Sequence, residues 1–265
     1  MTEQPHRFEE ETGNTELWTT IFADGHPDLT KQHRLHKRLP RDPRCRLCLV
    51  PFEGLGGWYM RRKGKGRSSR NEHYCAACDG FLETFPGGAE VEMSVLYVDI
   101  RNSTGYADAE SPEHVSARIN SFLDRAVARI TDHDGFIMAF YGDCVVAVWP
   151  PGFVGPGHAQ KALGAARALL ADPMFRKGSN AAIPVGIGVH TGPVYISTVE
   201  AARGLFRDVS IFGKSVNVTA RLASEAAPFT CLVSESVAGS ELGETPEQSY
   251  DLKGLSEPVR AYSLN

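Results

Sequence analysis

The chain has 265 residues, 42% of them apolar and 23% charged, with a net charge of −4. This is room for one full domain plus a small accessory one, and the composition is that of an ordinary soluble globular protein, which excludes a disordered, collagenous or disulfide-framework chain. No apolar stretch approaches membrane-spanning length, and the first residues, MTEQPHRFEEETGNTELW, are acidic and polar rather than signal-like, which points to a cytoplasmic protein.

Residues 1–40 show little periodicity and read as an extended or loosely helical N-terminal extension. Residues 41–85 carry Cys45-Arg46-Leu47-Cys48 and Cys75-Ala76-Ala77-Cys78, two CxxC pairs separated by a glycine-rich, basic stretch. Each pair puts two thiolates on one side of a tight turn, and two such knuckles close a tetrahedral site suited to Zn²⁺. An iron–sulfur cluster and unliganded thiols are the alternatives, and disulfides are disfavoured without an export signal. So short a module has too little apolar material for a core of its own and needs a metal to hold it. Residues 31–70 hold a basic cluster (Lys31, Arg34, Lys37, Arg38, Arg41, Arg44, Arg46, then Arg61, Arg62, Lys63, Lys65, Arg67, Arg70). It reads first as a solvated face; an anionic membrane surface, an acidic partner or nucleic acid are the alternatives, the last making the module a zinc-ribbon nucleic-acid binder, although a nucleic-acid partner is not expected.

Pro86-Gly87-Gly88 punctuates the chain, and residues 90–265 form the main domain. The run SVLYVDI, ending at Asp99-Ile100, predicts a buried strand. Ser111 is an N-cap with Pro112 at the first helical position, and Val115, Ile119, Phe122, Leu123, Ala126 and Ile130 follow at helical spacing. FIMAFY and VVAVW flank Gly142-Asp143 as a hairpin. A helix over His158 to Asp172 comes next, then IPVGIGVHTG and PVYISTV as a strand pair joined at Thr191-Gly192-Pro193. A helix over Ser215 to Ala226, the run CLVSES and two further strands complete the domain. Cys144 and Cys231 read as small core residues. The expected class is α+β, a sheet with helices on a face around a ferredoxin-like βαββαβ core.

Asp99 at a strand end and Asp143 at a hairpin tip converge if their strands are neighbours, and two facing carboxylates with open positions suit divalent-metal phosphoryl chemistry. Taken singly, each is an ordinary turn residue.

These residues resemble the class III nucleotidyl cyclases, the catalytic domain of adenylate and guanylate cyclases. VDIRNST is similar to the family's first metal-aspartate strand, FYGDCVVAV to its second, the run from Asp208 to Leu222 to its V-N-x-x-x-R segment, and Leu252-Lys253-Gly254 to its phosphate-lysine motif. The resemblance implies two Mn²⁺ or Mg²⁺ ions held by Asp99, Asp143 and the carbonyl of Ile100. It implies that the backbone amides of Arg101, Asn102, Ser103 and Thr104 cradle phosphates. Asn217 would orient the ribose, Arg221 the α-phosphate, and Lys253 the distal phosphates of a nucleoside triphosphate. A head-to-tail homodimer would bring the two halves of each site together. The four-cysteine module resembles a zinc-ribbon-like segment found ahead of some bacterial members.

The chain departs from the family at base selection. Ala139 stands where purine cyclases typically carry a lysine, and Ser210 where adenylate cyclases carry Asp or Thr; Lys214 stands where an Asp commonly follows the glycine. Three readings follow: a pyrimidine (UTP or CTP) cyclase, similar to those of Pycsar-type anti-phage signalling and feeding a downstream cyclic-nucleotide-binding effector; a purine cyclase with an atypical pocket; or an inactive nucleotide sensor. Tyr97, two residues before Asp99 on the same strand face, reads first as an ordinary core tyrosine and second as a base-pocket candidate.

Overall fold

The computed structural model describes residues 14–39, 43–105, 110–180, 182–201, 206–238, 242 and 247–265. Ahead of the sheet come α1 (Thr15–Thr19), a π-helical turn (Thr20–Asp24), α2 (Pro27–His36), α3 (Gly54–Arg62) and α4 (Ala76–Thr84). The sheet and its helices follow as β1 (Gly88–Ile100), α5 (Pro112–Asp132), β2 (Phe136–Tyr141), β3 (Cys144–Trp149), α6 (Pro151–Val154), α7 (His158–Ala171), β4 (Val185–Ala201), β5 (Phe206–Phe212), α8 (Lys214–Glu225), β6 (Thr230–Ser234), α9 (Glu235–Ala238), β7 (Glu247–Tyr250) and β8 (Val259–Leu264).

The eight strands form one sheet in the order β2-β3-β1-β4-β6-β8-β7, with β5 paired to β4 beyond this path. Strands β1 to β4 with α5 and α7 are the expected βαββαβ unit: the connection through α5 leaves a gap between β1 and β2 that β3 fills, and the connection through α7 carries the chain past β1 to place β4 on its other side. The Ser111 hydroxyl accepts from the His114 N–H to start α5, and its apolar stripe buries Phe122, Ala126 and Ile130. Burying a side chain the size of Phe122 contributes about 2 kcal/mol.

Period-two alternation sorts β1 onto two faces. Leu96, Val98 and Ile100 pack with α5 and α7, alongside Val145, Ala147, Val185, Ile187 and Val189. Val91, Met93 and Val95 point the other way, into a second core with Val148, Val194 and Ile196. That second core is closed by Trp18, Ile21 and Phe22 of the N-terminal helices and by the four cysteines. The N-terminal segment therefore shares a core with the sheet, which answers its shortage of apolar residues. Helix α8 packs on the same face and contributes Val216.

One expectation is corrected. Thr191-Gly192-Pro193 makes no turn: β4 runs unbroken past it, and β1 pairs with β4 continuously from Gly88↔Ser197 to Ile100↔Val185. Gly192 serves a close approach instead, since a Cβ there would meet the Ser215 hydroxyl of α8 at 2.6 Å. A second expectation is corrected in part. Cys231 is a fully buried core residue, but Cys144 is only half-buried and stands opposite Asp99 in the β1–β3 register.

Candidate active site

Asp99 is the penultimate residue of β1 and lies on the face that carries Met93 and Val95, beyond the N-terminal cover. Asp143 follows Gly142 (φ 63°) in the two-residue loop between β2 and β3. Because Asp99 pairs with Cys144, the adjoining residue Asp143 falls beside it, and the Ile100 N–H donates to the Asp143 carbonyl at 3.3 Å. The two carboxylates thus meet at the ends of neighbouring strands. Burial pushes the Asp99 carboxyl above its ordinary value; Arg101 pulls it back and the like charge of Asp143 adds to the rise. The same two aspartates and burial raise the Cys144 thiol to about 12, burial first.

Oδ2 of Asp143 is buried without a hydrogen-bond partner. A bare buried carboxylate oxygen is costly unless something cationic meets it. With Asp99 alongside, the donors are hard oxygens, so the pair fits Mg²⁺ or Mn²⁺.

Arg101 turns back along β1. Its guanidinium donates to Asp99 Oδ2 at 3.0 Å and to the carbonyls of Ala223 and Ser224 at 2.7 and 2.9 Å, at the end of α8. It lies over Gly186, where a Cβ would sit 2.5 Å from the Arg101 Nε. Asn102 takes a left-handed turn (φ 61°), and Ser103, Thr104 and Gly105 form a short helical turn. Asn217 and Arg221 lie four apart on the exposed side of α8, whose opposite side buries Val218 and Leu222. Lys253 is exposed in the turn between β7 and β8.

Ala139, Val146 and Tyr97 stand side by side across β2, β3 and β1. This places Ala139 and Tyr97 on the face of Asp99. Tyr97 is half-buried, and burial, with Tyr141 and Cys144 adding, pushes its hydroxyl up to about 12, so it stays a neutral donor. Ser210, on β5, pairs with Ser197 of β4.

The four sulfurs of Cys45, Cys48, Cys75 and Cys78 lie within 4.8 Å of one another, all buried. Their mutual contacts hold the Cys75 thiol below its ordinary value and push Cys48 and Cys78 above it. Sulfurs so close cannot all ionise without a cation, and four thiolates in one cluster fit Zn²⁺. Two residues the sequence reading passed over support the first knuckle: His33 Nε2 and His36 Nδ1 donate to the carbonyls of Leu47 and Cys48, each at 2.6 Å. Their H-x-x-H spacing on one helix face was the available signal.

Residues 88–265 match the adenylate and guanylate cyclase catalytic domain family. The chain is 29% identical over 138 residues to adenylate cyclase 1 of Rhizobium meliloti, covering 49% of this chain and 20% of that protein. It is 27% identical over 186 residues to an adenylate cyclase of Anabaena cylindrica, covering 65% and 36%. It therefore spans only a fifth to about a third of these relatives' lengths. In fold it is similar to the adenylyl cyclase CyaB from P. aeruginosa, with a TM-score of 0.59 at 20% identity, over 68% of this chain and 96% of that one. Among the described residues no helix is long and apolar enough to cross a membrane. With the domain match covering the whole sheet and both aspartates, the chain belongs to the adenylate and guanylate cyclase catalytic domain family.

Proposed function

We propose that the chain converts a nucleoside triphosphate to a 3′,5′-cyclic nucleotide and pyrophosphate, in a site shared by two copies placed head to tail. The observation that carries this is the meeting of Asp99 and the unpartnered Asp143 oxygen at the ends of β1 and the β2–β3 hairpin. Divalent ions held there supply positive charge that acidifies a ribose hydroxyl and offsets charge on a triphosphate.

The ribose 3′-oxygen forms its bond to the α-phosphorus as the bond to the bridging oxygen breaks; the 3′ proton is lost and pyrophosphate leaves. The chain's residues position this step. Asn217 and Arg221, exposed on α8, are presented to a partner copy, Asn217 to the ribose and Arg221 to charge growing on the α-phosphate. Lys253 and the amides of Asn102, Ser103 and Thr104 serve the remaining phosphates. The Arg101 side chain is committed to Asp99 and α8 and its backbone N–H to the Pro184 carbonyl at 2.8 Å, so the expected phosphate role of its amide is corrected and falls to Asn102, Ser103 and Thr104.

UTP or CTP is the favoured substrate. Ala139 shares the Asp99 face but offers no side-chain donor to a purine edge, and Ser210 is a short hydroxyl. Leaving a purine edge unpaired costs about 1–3 kcal/mol. ATP is the competing substrate, since the named relatives are adenylate cyclases. The deciding experiment incubates the protein separately with ATP, GTP, CTP and UTP in Mn²⁺ and identifies products by mass spectrometry. Dominant cUMP or cCMP is expected, and would fit a cyclic pyrimidine messenger read by a separate effector in anti-phage signalling. Dominant cAMP or cGMP replaces the base assignment, and absence of any cyclic product overturns the enzyme reading in favour of a nucleotide sensor.

A further inference from the structure

We infer that Arg46, inside the first cysteine knuckle, is a positioning residue for the base pocket, through which the four-cysteine centre sets the spacing of the two strands that carry Ala139 and Ser210. The inference rests on the base-pocket reading above.

Strands β2 and β5 belong to separate parts of the sheet: β2 pairs only with β3, and β5 only with β4. No ladder hydrogen bonds join them directly, although they approach each other, so side chains placed between them act on their spacing. Arg46 spans them. Its Nη1 donates to the Met138 carbonyl on β2 at 3.2 Å and lies 3.5 Å from the Asp208 carboxylate on β5. Met138 is the extra residue of a β-bulge, where the register slips between Ile137 and Ala139, and bulges leave a residue outside the ladder. The carbonyl that Arg46 takes therefore immediately precedes Ala139, and the carboxylate it meets is two residues before Ser210.

The second knuckle reinforces the same strand. Tyr74, immediately before Cys75, donates its hydroxyl to Asp208 Oδ1 at 2.5 Å, and the Asn71 amide donates to the Arg207 carbonyl, also at 2.5 Å. Tyr74 is buried, and burial followed by Asp208 holds its hydroxyl protonated. The two knuckles are joined directly by the Arg46 N–H to the His73 carbonyl at 2.9 Å. Arg46 sits between two of the cysteines, so the geometry of the sulfur cluster fixes where its guanidinium starts. A planar guanidinium can donate to two acceptors at once, which a lysine ammonium in the same place does with far less directional control.

Such a strut acts on discrimination between bases, not on the chemistry at Asp99 and Asp143. The test compares the wild-type protein with Arg46→Ala, Arg46→Lys and Asp208→Asn. Each is measured for binding of ATP, GTP, CTP and UTP by competition with a fluorescent nucleotide in Ca²⁺, and for KM and kcat with each nucleotide in Mn²⁺. Zinc content and melting temperature are recorded alongside. With zinc content retained, Arg46→Ala is expected to lower the ratio of affinities between preferred and next-best nucleotide by about ten-fold, the scale of one charged hydrogen bond, through KM with kcat little changed. Arg46→Lys and Asp208→Asn are expected to fall between. If Arg46→Ala fails to fold, the partly exposed Asp208 carries the comparison. Ratios within two-fold of wild type in the folded variants overturn the inference, as does a wild-type protein with no preference among the four. A wild-type protein that binds nucleotides but forms no cyclic product removes the proposed reaction, while the binding ratios still decide the role of Arg46.

Discussion

Arg101 holds Asp99 at 3.0 Å and, with the same guanidinium, the last carbonyls of α8, so one side chain ties the carboxylate at the end of β1 to the helix that bears Asn217 and Arg221. Three acceptors converge on a residue whose side chain is only 17% exposed. Removing it leaves the Ala223 and Ser224 carbonyls without their donor. Arg101→Ala is expected to destabilise the fold by about 2–3 kcal/mol in urea titration, with Arg101→Lys recovering less than half, because an ammonium cannot reproduce the fork. A loss below 0.5 kcal/mol for Arg101→Ala contradicts this account.

Asp143 makes a prediction of opposite signs. Its buried, unpartnered oxygen beside Asp99 is a liability in the absence of a cation and an asset with one. Asp143→Asn should leave the metal-free melting temperature unchanged or raised. In the wild-type protein Mn²⁺ should raise the melting temperature by mass action, about 2.7 kcal/mol at one hundred times its dissociation constant, and in the variant this shift should vanish. Differential scanning fluorimetry across a Mn²⁺ series reads both effects.

The locally encoded features were legible in the sequence. The Ser111 cap, the Gly142-Asp143 hairpin and the strand ending at Asp99 each rest on residues within a few positions of one another, and the CxxC spacing is a geometric constraint on its own. Thr191-Gly192-Pro193 misled because Gly and Pro have two uses, and the demand for a bare Cα came from α8, some twenty residues later. The ties that set the N-terminal module on the sheet were not legible. Arg46 and Asp208 are 162 positions apart, and no periodicity links them. The candidate site divides the same way: Asp99 and Asp143 follow from motif and strand pairing, whereas the commitment of the Arg101 side chain to α8 needed the packed structure.

Because the four cysteines share a core with Met93, Val95 and Ile196, metal at the cluster should support the whole sheet. One Zn²⁺ per chain is expected by elemental analysis. Strong chelation, or Cys48→Ser, should lower the melting temperature in a single transition, since the metal contributes folding free energy directly. A separate early transition, with the remaining unfolding unmoved, would mean that the module folds independently.

Asp172 tests the opposite face. Its side chain is fully buried after α7, where it accepts from Arg129 Nε at 2.7 Å, Arg125 Nε and the Met174 N–H at 2.9 Å. Burial pushes its carboxyl up, but the Met174 N–H and the two guanidiniums outweigh it and hold the carboxyl below its ordinary value. Asp172→Ala should cost about 1–3 kcal/mol, the scale of losing the Met174 N–H acceptor and charged hydrogen bonds from two arginines that stay partly exposed to water. The wild-type contribution is complete at neutral pH and should fade as pH drops below about 3.9 and through the lowered value.

His33 sets a pH dependence in a different window. Burial lowers it to about 4, against 6.5 for the free side chain, with the Leu47 carbonyl opposing. Nε2 donates to that carbonyl and Nδ1 is buried without a partner, so the folded state holds the ring neutral. Between pH 6.5 and about 4 the unfolded chain binds the proton and the folded one does not, so stability falls on acidification through that window and levels below it. The full loss from this residue is about 3 kcal/mol. His190, also lowered to about 4 by burial and by Lys214, adds in the same range. Urea midpoints measured from pH 7.5 to 4 should therefore decline, and His33→Gln, which keeps a donor for Leu47, should flatten part of the decline, the lowered His36, His73, His158 and His190 carrying the rest. An unchanged slope in that variant would assign the acid sensitivity elsewhere.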